Sequence, residues 1–223
     1  MKDKQMSTVD LAVKFTGLAA GFSDREYSDP KGYFGHRLAI LKNWGRGMES
    51  GDRVLHVGCG DGYLTRMLLD SGYRVDAFDC SPGMLARVGE LCLKHLPQTL
   101  TLTEGDINDA SSFPAGEVDH VFAVMRGFFT YSRNPVETMT FFRKIARKKV
   151  IADFDPRKNS PEQVKRLMHD AGFKNVQVRA FLVPQKRKLP ALVQSLLTSV
   201  ETTPLIYNFL VRRKFHLWVV GEK

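Results

Sequence analysis

The order of hydrophobic and polar positions predicts alternating strands and helices over most of the chain. Short β-branched and aliphatic runs predict seven strands, at residues 53–57, 73–79, 99–106, 118–125, 148–155, 175–183 and 215–223. Helical spacing of apolar residues predicts intervening helices at 62–72, 81–95, 134–147 and 160–172. Strands that alternate with helices form βαβ units, so we expect an α/β fold with a doubly wound, mostly parallel seven-stranded sheet. The last strand is expected to run antiparallel.

Two segments depart from this alternation. Asp29 before Pro30 predicts an N-cap followed by the first helical position, and apolar residues then recur at helical spacing as far as Trp44. Between the last two strands, an apolar helical stripe lies between basic clusters; it comprises Leu189, Leu192, Val193, Leu196, Leu197 and Val200. We predict one domain over 1–223, with an N-terminal helical cap (1–50), a core (51–183), a helical lid insertion (184–214) and a last strand (215–223).

Charge is distributed unevenly between the two parts of the chain. Residues 1–142 carry 15 Lys and Arg against 18 Asp and Glu, whereas residues 143–223 carry 18 against 6. This asymmetry favours an anionic substrate or partner near the C-terminal part, and a solvated basic surface explains it equally well. No apolar run reaches the length of about 18 residues that a bilayer span needs, and the first residues lack the apolar core of a secretory signal. We therefore expect a cytoplasmic protein, with peripheral contact at a membrane surface as a variant.

Cysteine and histidine spacing gives no metal motif. The three cysteines have no CxxC spacing, and the six histidines are scattered without an HxE or HExxH pattern. We expect reduced thiols and no metal site.

Three glycines follow the first predicted strand, where a helix N-terminus offers unpaired N–H groups to a nucleotide. Gly58, Gly60 and Gly62 form a G-x-G-x-G sequence. Dinucleotide-binding turns place a third small residue in G-x-G-x-x-G/A, and here that position holds the bulky Tyr63. A nicotinamide cofactor is therefore disfavoured.

Acidic residues end the next two strands. Asp79 comes 19 residues after Gly60, where a carboxylate can accept hydrogen bonds from both hydroxyls of a ribose. The third strand ends in "EGDI", which places Asp106 to accept from an adenine amino group and Ile107 to pack on the ring.

With these residues the sequence resembles the class I, Rossmann-like S-adenosylmethionine-dependent methyltransferases. "VLHVGCGDG" (54–62), "VDAFDCSPGML" (75–85), "EGDI" (104–107) and "VDHVFAVMRGFF" (118–129) resemble the family's motifs in the family's order. The resemblance covers about 53–173 and implies S-adenosylmethionine as the cofactor. One position departs from the pattern, because His56 stands where the family usually has Asp or Glu to hold the cofactor's ammonium.

The resemblance implies cofactor contacts along the whole ligand. The methionine part would be lined by Gly58, Cys59 and Gly60, and the ribose would bind to Asp79. The adenine would be flanked by Cys80 and Met84 and held at its edge and face by Asp106 and Ile107. Met125 would border the region of the sulfonium. Tyr33 and Arg37 reach the cofactor carboxylate if the N-terminal helix covers the site.

Catalytic residues are not identified by spacing. Methyl transfer is an in-line displacement, and a hydroxyl or carbon acid also needs a base. Active sites of open α/β sheets lie beyond the C-terminal ends of the strands. The candidates there are Arg126, Tyr131, Asp153, Asp155 and His216.

The acceptor is open among several classes. The apolar stripe with basic ends favours a small, lipid-like or anionic acceptor. An RNA methyltransferase explains the same charge, although no RNA-binding module is visible and "MRGFF" replaces the Asp/Asn-Pro-Pro-Tyr sequence of many amino-methylating nucleic-acid enzymes. His56 motivates a third class, a non-catalytic partner protein that binds S-adenosylmethionine. The sequence leaves the oligomeric state open.

Overall fold

A computed structural model describes residues 6–125, 127–203 and 216–223. It begins with three helices, α1 (Thr8–Leu18), α2 (Phe22–Glu26) and α3 (Pro30–Asn43). Ser7 and Asp10 form a reciprocal capping box at the start of α1. Asp29 caps α3 by accepting the Gly32 N–H at 3.0 Å, and Pro30 is the first helical residue, which confirms the predicted helix start.

The remaining elements alternate as the hydrophobic pattern predicts. They are β1 (Arg53–Val57), α4 (Tyr63–Asp70), β2 (Arg74–Asp79), α5 (Pro82–Leu91), β3 (Leu100–Glu104), β4 (Val118–Ala123), α6 (Phe128–Tyr131), α7 (Pro135–Ile145), β5 (Ala146–Phe154), α8 (Pro161–Asp170), β6 (Asn175–Phe181), α9 (Ala191–Thr202) and β7 (His216–Glu222). The short helix α6 has no counterpart in the sequence prediction. The predicted helix over 81–95 ends earlier, at Leu91, and a 3₁₀ turn follows over Leu93–His95.

The strands form one seven-stranded sheet in the order β3-β2-β1-β4-β5-β7-β6. β7 runs antiparallel to both β5 and β6, and the other neighbouring pairs are parallel, which confirms the predicted fold class. Chain order reverses between β1 and β4, and this switch point opens a crevice at the C-terminal ends of the strands. In the β1–β2 register Val57 pairs with Phe78, so the glycine turn after β1 lies beside Asp79.

Helices cover both faces of the sheet, as the nearly continuous apolar strands require. Trp44, Leu64 and Val88 belong to the core on the face covered by α3, α4 and α5. Phe142 and Val164 belong to the core on the opposite face, under α6, α7 and α8. The central strands are thereby buried and give the crevice a rigid floor.

Helix α9 is the described part of the predicted insertion, and its apolar stripe is only partly packed. Leu197 packs against the core, but Leu192 and Leu196 are 86% and 63% exposed and Val193 is also exposed. The helix contacts α3 and β6, and one turn after Leu197 the buried Glu201 bonds to His36 Nε2 at 2.7 Å and accepts the Leu182 N–H. After Pro204 the sequence "LIYNFL" (205–210) predicts a second apolar turn, and this segment lies outside the described residues.

Candidate cofactor and active site

A cavity of about 1050 Å³, counting the space at its mouth, opens at the switch point between β1 and β4. Ten of the eleven residues predicted to contact the cofactor line it: Arg37, Gly58, Cys59, Gly60, Asp79, Cys80, Met84, Asp106, Ile107 and Met125. Tyr33 does not line the cavity. The described part of the insertion, residues 184–203, contributes no lining residue. The cover comes instead from the N-terminal helices, through Met6, Thr8, Leu11, Phe15, Phe22 and Ser23.

The glycine turn is shaped by positive backbone angles and close packing. Gly58 has φ +67°, and a Cβ there would lie 2.7 Å from Met125 Cβ. Gly60 has φ +57°, and a Cβ there would meet no atom within 4 Å, because Gly60 borders the open cavity. The Phe78 carbonyl accepts the N–H groups of Gly58 and Cys59 at 2.8 and 3.1 Å. These bonds hold the turn against the end of β2, so that the backbone itself forms the wall of the cavity.

Asp79 connects the second strand to the glycine turn. Its carboxylate is 8% exposed and accepts the Gly60 N–H and the Ser81 N–H, each at 3.0 Å. Burial raises the pKa of this carboxyl, and the backbone N–H groups around it oppose that rise. A buried carboxylate with further acceptor capacity at a cavity wall suits a ligand that brings hydroxyl donors.

Asp106 lies at the opposite edge of the site, after β3. Thr8 Oγ1 donates to its Oδ2 at 2.6 Å, and Asn108 donates its backbone N–H and its side-chain amide to Oδ1 at 2.9 and 2.8 Å. Burial opposes ionisation, but these bonds and the Arg133 guanidinium lower the pKa of Asp106. The bond from Thr8 also fastens helix α1 over this end of the cavity.

Arg37 supplies a buried cation at the other end. Its Nη1 donates to the Val124 carbonyl at 2.9 Å, its Nη2 lies 3.3 Å from the Tyr33 hydroxyl, and its buried Nε has no hydrogen-bond partner. Burial lowers the pKa of Arg37, but the Tyr33, Tyr27 and Asp153 side chains outweigh that effect and raise it. The guanidinium stays charged, and Tyr33 positions it from behind instead of touching the cavity.

His56 lines the cavity as a neutral ring. It is 2% exposed, and its Nδ1 lies 2.8 Å from the Thr65 hydroxyl oxygen. Burial, with a smaller contribution from Arg37, lowers the pKa of His56 to about 3. The imidazole therefore carries no charge at neutral pH.

Two thiols also border the cavity. Burial and the Asp79 carboxylate raise the pKa of Cys59 and raise that of Cys80 to about 12. Both remain protonated at neutral pH, so neither is a competing nucleophile toward an electrophilic ligand.

Among the catalytic candidates, the structure pairs Asp153 with His216. Asp153 is fully buried; its Oδ1 accepts the N–H groups of Gly127 and Phe128 at 3.0 and 3.2 Å, and its Oδ2 lies 2.9 Å from His216 Nε2. The His216 bond and the Arg37 charge lower the pKa of Asp153 against the effect of burial. A buried carboxylate that orients a partly exposed imidazole is an arrangement used for general bases.

The other candidates differ in position. Tyr131 lines the cavity. Asp155 does not, and it forms a two-oxygen ion pair with Arg157 that lowers the pKa of its carboxyl. Asp155 is therefore a poor base, contrary to its place among the candidates. Arg126 lies outside the described residues.

Sequence reasoning missed the contribution of the first helices. Ser23 donates its N–H and its hydroxyl to Asp61 at 2.7 and 2.6 Å, which ties α2 to the glycine turn. The capping box at Ser7 and Asp10 was the available signal for α1, but it does not show which surface the helix covers. Within the described ranges no cluster of three or more His, Cys, Asp or Glu side chains could hold a metal ion, and no helix there is long and apolar enough to cross a bilayer.

Known proteins are similar to this chain in sequence and in fold. A family model described as "Methyltransferase domain" matches residues 54–149, which contain the glycine turn, Asp79 and Asp106. Residues 54–149 are therefore similar to a methyltransferase domain, and the seven-stranded sheet has the class I, Rossmann-like fold. The matched family and solved structures of this fold support S-adenosylmethionine as the cofactor.

Individual relatives are similar over different spans. Ribosomal RNA small subunit methyltransferase A of Treponema denticola is 35% identical over 60 residues, which cover 27% of this chain and 20% of that protein. A solved structure is described as the complex between the Haloferax volcanii Trm112 methyltransferase activator and the putative methyltransferase. One of its chains superposes with a TM-score of 0.63 at 22% identity, covering 94% of this chain and 97% of that one. Haemonchus contortus phosphoethanolamine N-methyltransferase 2 with S-adenosyl-L-methionine gives a TM-score of 0.62 at 17% identity, covering 98% of this chain and 60% of that one. These structural similarities show the fold alone.

Proposed function

We propose that this methyltransferase transfers the methyl group of S-adenosylmethionine to a small acceptor. One observation carries the proposal: the glycine turn, the two strand-end carboxylates and the buried Arg37 border a single cavity at the switch point of the sheet. Asp79 would accept hydrogen bonds from the ribose hydroxyls, and Ile107 and Asp106 would hold the adenine. Gly58, Gly60 and Arg37 would hold the methionine part.

Methyl transfer requires mainly that the acceptor atom is aligned with the methyl carbon and that water is excluded. The acceptor atom attacks the methyl carbon, the carbon–sulfur bond breaks, and its electron pair stays on sulfur, which loses its positive charge. Aromatic and apolar side chains from α1, α2 and α3 surround the cavity and limit the access of water; they include Phe15, Phe22 and Phe34.

An acceptor that carries a proton on its nucleophilic atom needs a base. We assign that role to His216, whose Nε2 faces Asp153 and whose other ring nitrogen then takes the proton. Asp153 stabilises the resulting imidazolium because it is a buried carboxylate held by the Gly127 and Phe128 amides. Neither side chain lines the cavity, so the acceptor must approach along the side where β5 ends and β7 begins. Tyr131 lines the cavity and would contact the acceptor.

The acceptor class follows from charge and surface. The basic C-terminal part favours an anionic molecule, and Lys186, Arg187 and Lys188 precede the exposed Leu192 and Leu196 of α9. This combination supports a lipid-like acceptor or peripheral contact with an anionic membrane.

RNA methylation is the second candidate. The +12 charge of residues 143–223 and the 60-residue similarity to a ribosomal RNA methyltransferase favour it. A non-catalytic role beside a partner protein is the third candidate, and His56 in place of the family's usual carboxylate motivates it.

Calorimetric titration tests the cofactor part of the proposal. S-adenosylmethionine and S-adenosylhomocysteine should bind with micromolar affinity, and NADH and NADPH should not. A panel of small hydroxyl, amine and thiol acceptors, anionic lipid vesicles and ribosomal RNA, each incubated with methyl-labelled cofactor, then separates the acceptor classes. Cofactor binding without transfer to any acceptor in the panel would support the non-catalytic alternative.

A further inference from the structure

The two ends of the cavity differ in charge. Asp106 follows β3 at one side of the crevice, whereas Arg37 donates to the Val124 carbonyl after β4 at the other side. His56, at the end of β1, lies close enough to Arg37 for the guanidinium to lower its pKa. The end that receives the methionine part of the cofactor thus holds one permanent cation and one neutral imidazole.

The cation has hydrogen-bonding capacity to spare. Arg37 is 3% exposed, its Nε has no partner, and its Nη2 contact to the Tyr33 hydroxyl is long, at 3.3 Å. The rings of Tyr33, Phe34, Phe181 and Trp218 surround the guanidinium, with centroids 5.0–5.9 Å away. A carboxylate that reaches this guanidinium would gain a charge-assisted hydrogen bond in a site of low dielectric.

The carboxylates that line the cavity already have other partners or an assigned part of the ligand. In the described part of the chain, Asp61, Asp79 and Asp106 line the cavity. Both oxygens of Asp61 accept from Ser23, while the proposed function assigns the remaining acceptor capacity of Asp79 to the ribose and Asp106 to the adenine. Asp153 lies behind Arg37 and does not line the cavity. An ammonium at this end therefore meets the neutral His56 ring and the positive Arg37.

We propose that the site recognises the carboxylate of the cofactor's methionine part and is nearly indifferent to its ammonium. This inference rests on the proposed function, because it assumes that the methionine part points toward Arg37. The ligand class it predicts is wider than S-adenosylmethionine: adenosyl thioethers and sulfoniums with a terminal carboxylate bind whether or not they carry the α-amino group. His56 sets this specificity, since a neutral ring offers an ammonium at most one hydrogen bond and no charge pairing.

Three ligands test the inference on the unmodified chain. They are S-adenosylhomocysteine, its analogue without the α-amino group, and its analogue without the carboxylate. We expect the deaminated analogue to bind within about 3-fold of the parent, and the decarboxylated one at least about 30-fold more weakly, the effect of one charge-assisted hydrogen bond. Equal loss with both analogues, or a larger loss without the amino group, overturns the inference and indicates that a carboxylate such as Asp61 holds the ammonium.

Variants at His56 sharpen the test. His56→Asp places an anion beside the ammonium, and it should raise the preference for the parent over the deaminated analogue by about 10-fold. His56→Asn, which is neutral and keeps a polar atom toward Thr65, should leave that preference unchanged. A preference that fails to rise in a folded His56→Asp variant counts against the assignment of His56.

The failure of this inference is distinguishable from the failure of the proposed function. If S-adenosylhomocysteine itself does not bind at millimolar concentration, the proposed function is wrong and the inference falls with it. If it binds and the analogues behave otherwise than expected, the proposed function stands and only the inference is overturned.

Discussion

The Asp79 carboxylate accepts the Gly60 N–H at 3.0 Å, which joins the end of β2 to the turn after β1. The same carboxylate accepts the Ser81 N–H at the start of α5. One side chain thus organises two loops of the cavity, and it also faces the ligand. Loss of Asp79 should therefore affect cofactor binding more than global stability.

Asp79→Asn provides the first prediction. The amide keeps the size of the side chain but removes the charge and one acceptor, so S-adenosylhomocysteine should bind about 10- to 100-fold more weakly in calorimetry. Asp155→Asn is the matched control, because Asp155 also lies at a strand end but pairs with Arg157 outside the cavity. Equal affinity of the two variants for S-adenosylhomocysteine would show that Asp79 does not bind the cofactor.

Alanine substitutions of two glycines should separate folding from binding. Gly58→Ala combines a positive φ with a Cβ placed 2.7 Å from Met125 Cβ, and it should lower the free energy of unfolding by about 3 kcal/mol or more. Gly60→Ala has a similar φ but no neighbouring atom within 4 Å, so it should lose about 1–2 kcal/mol. Its new methyl group enters the cavity and should weaken cofactor binding. Urea unfolding and calorimetry measure the two effects, and similar destabilisation by both variants would contradict the close packing of Gly58 on Met125.

The neutral His56 predicts a specific acid sensitivity. In the folded protein its pKa is about 3, below the ordinary value of 6.5, so the unfolded chain binds the proton more readily. The resulting stability is fully present above pH 6.5 and is lost as the pH falls toward 3. Relative to His56→Asn, the wild-type chain should lose about 2 kcal/mol between pH 7.5 and pH 5. Urea unfolding of both proteins at several pH values checks this, and parallel pH profiles would show that His56 ionises normally in the fold.

His216→Gln should separate binding from transfer. If His216 is the base, transfer to hydroxyl acceptors should fall by about 100-fold or more, while the dissociation constant of S-adenosylhomocysteine stays within a factor of about 2. Transfer to a thiol acceptor should change little, because thiols ionise near neutral pH without a base. Labelled-methyl transfer measures these rates. A parallel loss with thiol and hydroxyl acceptors would indicate that His216 only shapes the acceptor site.

Local patterns anticipated many features of the cofactor site. Gly58, Asp79 and Asp106 lie at or just beyond the C-terminal ends of strands. Parallel strands bring these ends to one edge, so strand prediction alone placed the three residues together. The role of α9 was harder to predict, since a helical stripe reports that a helix has an apolar face but not what that face contacts. Leu192 and Leu196 are accordingly exposed, although their spacing matches that of Leu197.

The sequence by itself determined the α/β fold and the order of the motifs, because strand periodicity, glycine turns and strand-end carboxylates are local properties. The cofactor class was implied by the resemblance of those motifs to a known family. Only the tertiary structure decided which helices cover the cavity, how Tyr33 and Arg37 divide their roles, and that Asp153 meets His216. The last pair is separated by 63 positions and meets because β7 enters the sheet between β5 and β6. Neighbour choice among strands depends on the packing of the whole core, and no short window of sequence records it.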